Sequence, residues 1–360
     1  MEQKLSQNDL FTLIALLCHG GYFWVLPSFA TKENGSMGIL SMLLGAGTGL
    51  LILILAYRLS QKANGQPIFQ YLGQIMPKPL AQVTALAIWS YLAIFLILCL
   101  AFFTEMMSSR LLVDTPRWLI SGVLLFLIGR LAALGLVDIT RFSFFALISL
   151  LFLMLMLILG NLPLFEIIQA LPLVLENGAA FVDTWLQVSN AYAIVLCLLF
   201  ILPRVKQEKK NLSWAASALV LSAVFLSVMT FLAMGVFGQD FSQTMFWMHL
   251  EQAKIIQLGP YLERVEAIYV ILWMTVIFAA SGILIYCTNH SLAQIIQRPL
   301  TVKMHWLLIF FFWLCCNYLG NMEKIILLLG YFNQIFFWLM IGGLLLAFFF
   351  AQRDRKASNL

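Results

Sequence analysis

Two short polar stretches interrupt apolar runs of this chain, and they carry the residue types best suited to hold a small polar molecule. The second stretch contains Ser189, Asn190 and Tyr192, in the apolar run 184–203. The first stretch lies in the run 9–30 and consists, in chain order, of His19, Gly20, Gly21, Tyr22, Phe23 and Trp24.

The glycine pair of the first stretch predicts a break in a membrane-spanning helix. Glycine adopts non-helical dihedrals at little cost, and backbone groups freed at membrane depth are tolerated only where they face a cavity. A half-helix beginning near Tyr22 would point its positive end at an anion such as a carboxylate. Carbonyl groups before the break would suit an ammonium group or another cation.

We therefore predict that the two stretches form one ligand site. His19, Ser189, Asn190 and Tyr192 would supply side-chain hydrogen bonds, and the neighbouring aromatic rings of the first stretch an apolar wall. The alternative is structural. Glycine often only permits close packing of membrane helices, Pro27 would kink the outer end, and the histidine would be a packed, hydrogen-bonded residue.

The composition indicates that lipid surrounds most of the chain. Of its 360 residues, 62% are hydrophobic and 10% are charged, whereas a soluble domain has about 25% charged residues. The mean hydropathy is +0.95. The net charge of +5 comes from basic residues lying between apolar runs, so it reports membrane orientation and does not indicate a nucleic-acid partner.

Ten apolar runs are long enough to cross a bilayer. They predict an all-α integral membrane protein, a single polytopic domain over residues 1–360 with ten transmembrane helices. The start, MEQKLSQND, lacks a basic region before the first run, so we interpret that run as a retained span and not a cleaved signal. The runs cover about 9–30, 37–58, 82–104, 118–136, 142–160, 184–203, 213–236, 265–288, 304–321 and 327–351.

Charge and span number together predict orientation and symmetry. Most of the 21 Lys and Arg residues fall at the termini and in alternate connections, so both termini are expected to be cytoplasmic. Ten spans divide into halves of five, about 9–160 and 184–351, which must insert in opposite directions. This is the arrangement of inverted-repeat transporters, in which the first span of each half is discontinuous. The two polar stretches lie in those two spans.

Other features received structural interpretations. The outer connections 161–183 and 237–264 are apolar enough to lie as short helices on the membrane surface. Gly45, Gly47 and Gly49 are interpreted as a helix-packing surface. Glu105, near the outer end of span three, is expected to reach the membrane interface, with coupling of transport to an ion as the alternative, a role also open to His19.

Several classes of function lack support in the sequence. The six cysteines lie within apolar runs, and no spacing of Cys and His predicts a metal site. No nucleotide-binding loop, metalloprotease motif or nucleophile elbow is present. We therefore predict a protein that is not an enzyme and has no cofactor.

The chain resembles the permease-like B subunit of spore germinant receptors, in the spore germination protein family of the amino acid–polyamine–organocation superfamily. The resemblance runs along essentially the whole chain. It depends on the order of the segments GGYFWVLP, DTPRWLISG, GLVDITRF, LPLVLENG, FILPRVK and PYLERVEAIYVILW.

The resemblance implies a leucine-transporter-type fold and recognition of an amino acid or similar nutrient in the spore inner membrane. It also implies two partner subunits, a larger membrane protein and a lipoprotein, besides membrane lipid. The expected ligand contacts are the unwound parts of spans one and six. Family members often have a glycine–glutamate element in span six, where this chain has Asn190-Ala191-Tyr192.

The segment PYLERVEAIYVILW opens span eight with charged residues. Glu263 and Glu266 suit the positive end of a helix, so a charged helix start is one interpretation. The functional alternative is that Glu263, Arg264 and Glu266 contact a partner subunit.

Three functions remain open at this point. The first is a nutrient-recognition subunit that triggers germination, the second a proton-coupled amino acid permease, and the third an ion- or solute-conducting module opened by a partner.

Overall fold

The computed structural model describes residues 4–20, 24–171, 173–175, 177–257 and 264–358. Over these residues the chain is helical apart from turns, connections and one isolated bridge between Leu5 and Val205. The α-helices, in chain order, are α1 (Gln7–Leu17), α2 (Leu26–Lys32), α3 (Gly38–Lys62), α4 (Ile68–Ile75), α5 (Lys78–Met106), α6 (Arg117–Leu134), α7 (Leu136–Asn161), α8 (Gly178–Tyr192), α9 (Leu198–Ile201), α10 (Asn211–Phe237), α11 (Gln239–Thr244), α12 (Met248–Lys254), α13 (Val265–Ile295), α14 (Val302–Tyr318), α15 (Met322–Tyr331) and α16 (Phe337–Ser358).

Eight helical segments within the described residues are long and apolar enough to cross a membrane. A further apolar helix, α14, is slightly shorter, and α1 and α2 are two short helices along the predicted first span. Ten crossings follow if α14 crosses and if α1 and α2 together make one crossing. The eight segments are Gly35–Lys62, Lys78–Leu111, Arg117–Leu134, Leu136–Leu164, Gly178–Arg204, Asn211–Phe237, Val265–Ile295 and Met322–Arg353.

The first helix begins at a capping box, and the residue before that box hydrogen-bonds to the end of span six. The Ser6 side chain accepts from the Asp9 amide, and the Asp9 carboxylate accepts from the Ser6 amide, which satisfies two amides of the first turn. Just before it, the Leu5 amide donates to the Arg204 carbonyl and the Lys206 amide donates to the Leu5 carbonyl, both at 2.9 Å.

Span six lies at the centre of the bundle. It begins at Gly178, six residues before the predicted start at 184. Asn177 caps this start of α8 by accepting from two amides. Every residue from Ala191 to Ile201 is at most 1% exposed. Large apolar side chains on α6 and α7, among them Phe126 and Phe145, are instead more than half exposed. Such an outward apolar face is what a lipid solvent requires.

Glycines on α3 let it pack closely against span six. A Cβ built on Gly45 would overlap Val188, and one built on Gly49 would overlap Tyr192. The packing interpretation is therefore confirmed for these two positions. It is wrong for Gly47, where a Cβ would meet nothing within 4 Å.

The outer connection 237–264 differs from the expectation of a surface helix, and the outer connection 161–183 is only partly helical. Residues 161–183 contain two 3₁₀ turns and the first residues of α8. In 237–264, α12 is buried along most of its length and packs against α13, α10 and α7. The helix α12 can be buried because its polar side chains are hydrogen-bonded there. His249 bonds Gln252, and Gln252 also reaches the Met229 carbonyl.

Candidate functional site

The α-helical part of span one ends at Leu17 and resumes at Leu26. Across this interval the Trp24 indole Nε1 donates to the His19 carbonyl at 2.5 Å. A carbonyl at a helix break has lost its usual partner, and this side chain provides one. Pro27 lies in the first turn of α2, where a residue without an amide hydrogen is tolerated.

Gly20 is required by close approach to span eight. A Cβ built on it would overlap the Cβ of Ala280 on α13. The absence of a side chain therefore brings the break of span one directly onto α13. This is the close-packing role of glycine in membrane helices.

His19 is 3% exposed and has one ring nitrogen engaged. Its Nδ1 lies 3.0 Å from the Ala15 carbonyl, and because a carbonyl only accepts, Nδ1 carries the hydrogen. Nε2 has no hydrogen-bonding partner among the described residues. It is the atom of His19 that could accept from a ligand or take up a proton.

Trp24 joins the break to an aromatic cluster. Its ring meets those of His249, Tyr269 and Trp273 edge-on, at centroid distances of 5.3, 5.9 and 5.9 Å, and Phe103 of α5 packs on Trp273. Edge-to-face contacts of this kind are favourable. The apolar wall predicted from Trp24 therefore also includes residues of α12 and α13.

His249 fastens α12 over the same cluster. Its Nδ1 donates to the Gln252 side-chain oxygen at 2.7 Å, and the Gln252 amide nitrogen reaches the Met229 carbonyl at 3.5 Å. Burial lowers the pKa of His249 to about 4, because a charged imidazolium is poorly solvated there.

Span six changes geometry without losing its helical course. α8 ends at Tyr192, Ala193–Cys197 is a 3₁₀ helix, and α9 follows. The discontinuity therefore begins directly after the predicted stretch 189–192. A 3₁₀ turn inside a longer helix often marks a hinge.

Asn190 connects span six to two other spans. Its backbone carbonyl accepts from the Tyr91 hydroxyl of α5 at 2.5 Å. Its side-chain nitrogen donates to the Asn333 Oδ1 at 2.5 Å. Asn333 lies in a π-helical turn, Phe332–Phe336, between α15 and α16, and single π turns in α-helices are common at functional sites.

The other two predicted residues of span six have different surroundings. The Ser189 hydroxyl donates to the Trp185 carbonyl one turn earlier at 2.7 Å. Tyr192 is fully buried and lies against Gly49 of α3.

A cavity of about 210 Å³ opens beside Asn333. We call it the vestibule. It has walls from α2, α8 and α15 and carries side chains of both charges. Its lining residues are Phe29, Lys32, Glu33, Asp183, Thr184, Gln187, Ile326, Leu329, Gly330 and Asn333.

The two helices that flank the first predicted stretch touch span six, which carries the second. α1 packs against the 3₁₀ segment Ala193–Cys197, and α2 packs against α8. At the vestibule wall the Asn34 side chain donates to the Thr184 hydroxyl at 2.7 Å. No hydrogen bond joins His19 directly to Ser189 or Asn190 among the described residues. Gly21, Tyr22 and Phe23 lie outside those residues.

The remaining candidates lie elsewhere. Glu105 forms an ion pair with Arg117 at the start of α6, and Arg117 Nη2 also donates to the Leu319 carbonyl at 3.2 Å. A coupling role for Glu105 stays a prediction. Arg264 pairs with Glu266 at 3.0 Å and is 79% exposed, whereas Glu263 lies outside the described residues. Their contact with a partner also stays a prediction.

Sequence analysis missed four residues that complete this region: Tyr91, Asn333, His249 and Trp273. An amide in an apolar run is a recognisable signal, so Asn333 could have been included. Tyr91, Trp273 and His249 carry no such signal. Only the fold brings them to the breaks. Within the described residues no group of three His, Cys, Asp or Glu side chains could hold a metal ion.

The fold is that of a membrane transporter. Two structures of the Eremococcus coleocola manganese transporter match this chain, with TM-scores of 0.64 for a mutant and 0.62 for a complex with an aromatic bis-isothiourea compound. The first covers 94% of this chain and 77% of the transporter, the second 95% and 78%, each at 13% sequence identity. The protein is therefore an all-α, multi-pass membrane protein with a leucine-transporter-type fold.

Sequence relationships then define the family. The model of the spore germination protein family, Spore_permease, matches residues 4–325, and the chain belongs to this family. It is 24% identical over 281 residues to spore germination protein YndE of Bacillus subtilis strain 168, covering 76% of each chain. It is 21% identical over 300 residues to spore germination protein A2 of the same organism, covering 81% of this chain and 80% of that one. The predicted family and the all-α, leucine-transporter-type fold are confirmed, whereas the count of ten transmembrane helices stays a prediction.

Proposed function

We propose that this chain is the nutrient-recognition subunit of a spore germinant receptor, holding a small amino-acid-like ligand between spans one and six. The observation that carries the proposal is the position of Asn190. Its amide bonds Asn333, which lines the vestibule, and its carbonyl bonds Tyr91 on a third span. A ligand that exchanges partners with this amide would act on three spans at once.

The vestibule suits a zwitterion. Lys32 could attract a carboxylate, and Glu33 and Asp183 an ammonium group. Asn333, which lines the vestibule, is the hydrogen-bond partner of Asn190, and we propose that ligand atoms extend from there towards the break in span one. His19, Gly20, Gly21, Tyr22, Phe23, Trp24, Ser189, Asn190 and Tyr192 remain the proposed contacts.

The proposal extends to topology and partners. The halves of about 9–160 and 184–351 would be inverted repeats of a ten-span domain, with both termini in the cytoplasm and the protein in the spore inner membrane. Two further receptor subunits, a larger membrane protein and a lipoprotein, would receive the signal. Arg264, with its exposed side chain, is the proposed partner contact together with Glu263 and Glu266.

Saturable binding without uptake is the expected behaviour. The full-length protein would be purified, screened by thermal shift against the common amino acids, and then reconstituted into liposomes for binding and uptake of the amino acid with the largest shift. Saturable binding with no accumulation supports a sensor. Concentrative uptake driven by a pH gradient would instead establish a proton-coupled permease. Ion leak without saturable binding would establish a conducting module.

Asn190→Leu tests the site itself. We expect it to weaken ligand binding by about tenfold or more, the effect of losing one well-placed hydrogen bond in a buried site. Asn317→Leu is the matched control, because Asn317 is a half-buried amide on α14 that bonds Ser121 and the Trp313 carbonyl, away from the vestibule. Equal loss of binding in both variants would refute a ligand role for Asn190.

A further inference from the structure

Two further cavities lie on the outer side of the bundle, between α6 and α14. One of about 380 Å³ and one of about 330 Å³ share Gly122, Phe126 and Trp313. We call the two together the α6–α14 groove. Its lining is aromatic or aliphatic apart from one glycine, and consists of Trp118, Leu119, Gly122, Val123, Leu125, Phe126, Leu127, Trp306, Ile309, Phe310 and Trp313.

Contacts within and between α6 and α14 fix the positions of the side chains that line the groove. The Phe126 and Trp306 rings stack at 5.5 Å, and those of Phe310 and Trp313 at 5.6 Å. The Trp313 indole nitrogen donates to the Trp118 carbonyl at 3.0 Å. Contacts from both helices therefore define its walls, as a binding groove requires.

One end of the groove is clamped by a histidine. His305 Nε2 lies 3.0 Å from the Gly129 carbonyl, which only accepts, so this nitrogen donates. The Asn289 amide of α13 then donates to Nδ1 at 2.8 Å. Gly129 also lies against Trp306, where a Cβ would come within 3.2 Å of the ring.

Two basic residues flank this clamped end. Arg130 follows Gly129 directly, and Lys303 lies one turn before Trp306 on α14. Both are exposed. On α6, Arg130, Phe126 and Gly122 recur every four residues and so share one face. Neither basic side chain has an ion pair with the part of the chain that the structure describes.

The groove follows α6 for most of its length. From Trp118 to Arg130 the helix rises about 18 Å at 1.5 Å per residue, so an acyl chain that starts at the Arg130 end could lie along it past the middle of a hydrocarbon core about 30 Å thick. Arg130 and Lys303 are near the end of α6 and the start of α14, so they belong at the membrane surface. A cationic end joined to an apolar groove is complementary to an anionic phospholipid.

We propose that the α6–α14 groove binds one anionic phospholipid, with an acyl chain along the aromatic wall and the phosphate held by Arg130 and Lys303. The inference does not depend on the proposed nutrient site. It assigns to α6 and α14 a specific lipid, in contrast to the general lipid contact of the other outward faces.

Native mass spectrometry of the purified full-length chain tests the site. The protein would be equilibrated with equal amounts of dioleoyl phosphatidylglycerol and dioleoyl phosphatidylcholine, which share their acyl chains. We expect retained phosphatidylglycerol to exceed phosphatidylcholine. The Arg130→Gln/Lys303→Gln variant should lower that preference by about fivefold for each charge removed.

The matched control is Arg58→Gln/Lys78→Gln. These are two exposed basic residues at the ends of α3 and α5, away from the groove, and their replacement should leave the preference unchanged. Quenching of tryptophan fluorescence by brominated chains gives a second readout. Brominated phosphatidylglycerol should quench the wild type more than brominated phosphatidylcholine does, and Trp306→Phe should reduce the difference.

Two outcomes would overturn the proposal. One is equal retention of the two lipids by the wild type, which would leave the groove for a transmembrane helix of a partner. The other is an equal fall in preference in the groove variant and the control, which would show only a general effect of surface charge.

Discussion

Spans one and six are both discontinuous, but they interrupt the helix in different ways. In span one the α-helix stops at Leu17 and resumes at Leu26, and a tryptophan side chain satisfies a carbonyl in between. In span six the chain narrows to a 3₁₀ helix and continues. In span one the α-helical backbone is interrupted. In span six the helix changes from α to 3₁₀ geometry close to the Asn190 side chain.

The difference follows from the residues at each interruption. Gly20 and Pro27 lie at the break of span one, whereas Asn190 lies close to the 3₁₀ segment of span six. Glycine weakens a helix, and at the break of span one the His19 carbonyl takes its hydrogen bond from the Trp24 side chain. No glycine or proline lies between Asn190 and Cys197, and span six stays helical there. The Asn190 carbonyl accepts from Tyr91 of α5, and the Asn190 side-chain nitrogen donates to Asn333 in the π turn beside α15. Substitutions at Gly20 should therefore act through packing, and those at Asn190 through hydrogen bonds.

The largest effect is expected from Gly20→Leu. Its side chain would overlap Ala280, and overpacking a tight contact costs about 3 kcal/mol or more at a site that cannot relax. We expect a clear fall in the thermal midpoint of the detergent-purified protein and loss of ligand binding. The smaller variant Gly20→Ala should also be destabilised, and adding Ala280→Gly to it should restore part of the lost stability.

Gly47→Ala is the control for this substitution. A Cβ there meets nothing within 4 Å, and alanine favours a helix over glycine by about 1 kcal/mol, so stability should hold or rise slightly. If Gly20→Leu were as stable as the wild type, the close approach of span one to α13 would be wrong.

The two breaks also differ in how far the sequence predicts them. Glycine and proline made span one recognisable as broken, and the polar residues of span six marked its edge. The 3₁₀ segment Ala193–Cys197 is wholly apolar and gives no local signal. The partners are further still from prediction, because Trp24 meets His249, and Asn190 meets Asn333, only after distant spans have packed. A single sequence marks a buried polar residue but does not identify its partner.

Acid should weaken the packing around span one, since His249 packs on Trp24. The pKa of His249 is about 4 in the folded protein and about 6.5 when unfolded. Its contribution to stability is therefore complete above pH 6.5 and is lost as the pH falls towards 4, by at most about 3 kcal/mol.

Thermal midpoints between pH 7 and pH 4 would measure this loss. We expect His249→Gln to have a shallower pH dependence than the wild type, because glutamine does not titrate. The other histidines are present in both proteins, so the difference isolates His249. Parallel curves would mean that protonation of His249 does not affect folding.

Two matched substitutions compare the donors at the breaks. Trp24→Phe removes the donor to the His19 carbonyl, and Tyr91→Phe removes the donor to the Asn190 carbonyl. In Tyr91→Phe the Asn190 carbonyl keeps a bond from the Ala193 amide. The free energy of unfolding should therefore fall by about 1 kcal/mol in Tyr91→Phe, against about 2 kcal/mol in Trp24→Phe.

Trp273→Phe separates the hydrogen bond from ring volume. Trp273 lies in the same cluster as Trp24, and its indole nitrogen has no partner among the described residues. Stability measured by chemical denaturation should fall less for Trp273→Phe than for Trp24→Phe. The same loss in both would assign the effect to packing alone.

The smallest expected effect is the coupling between Asn190 and Asn333, which tests whether side chains hold span six. Each single substitution to leucine removes one amide of the pair, and a double-mutant cycle isolates their interaction. Hydrogen bonds between membrane helices are worth about 0.6 to 1.7 kcal/mol, so we expect a coupling near 1 kcal/mol. The cycle of Asn190→Leu with Asn317→Leu should be additive, since these side chains do not touch. A coupling near zero for Asn190 and Asn333 would mean that span six, like span one, is held at its break by packing and backbone.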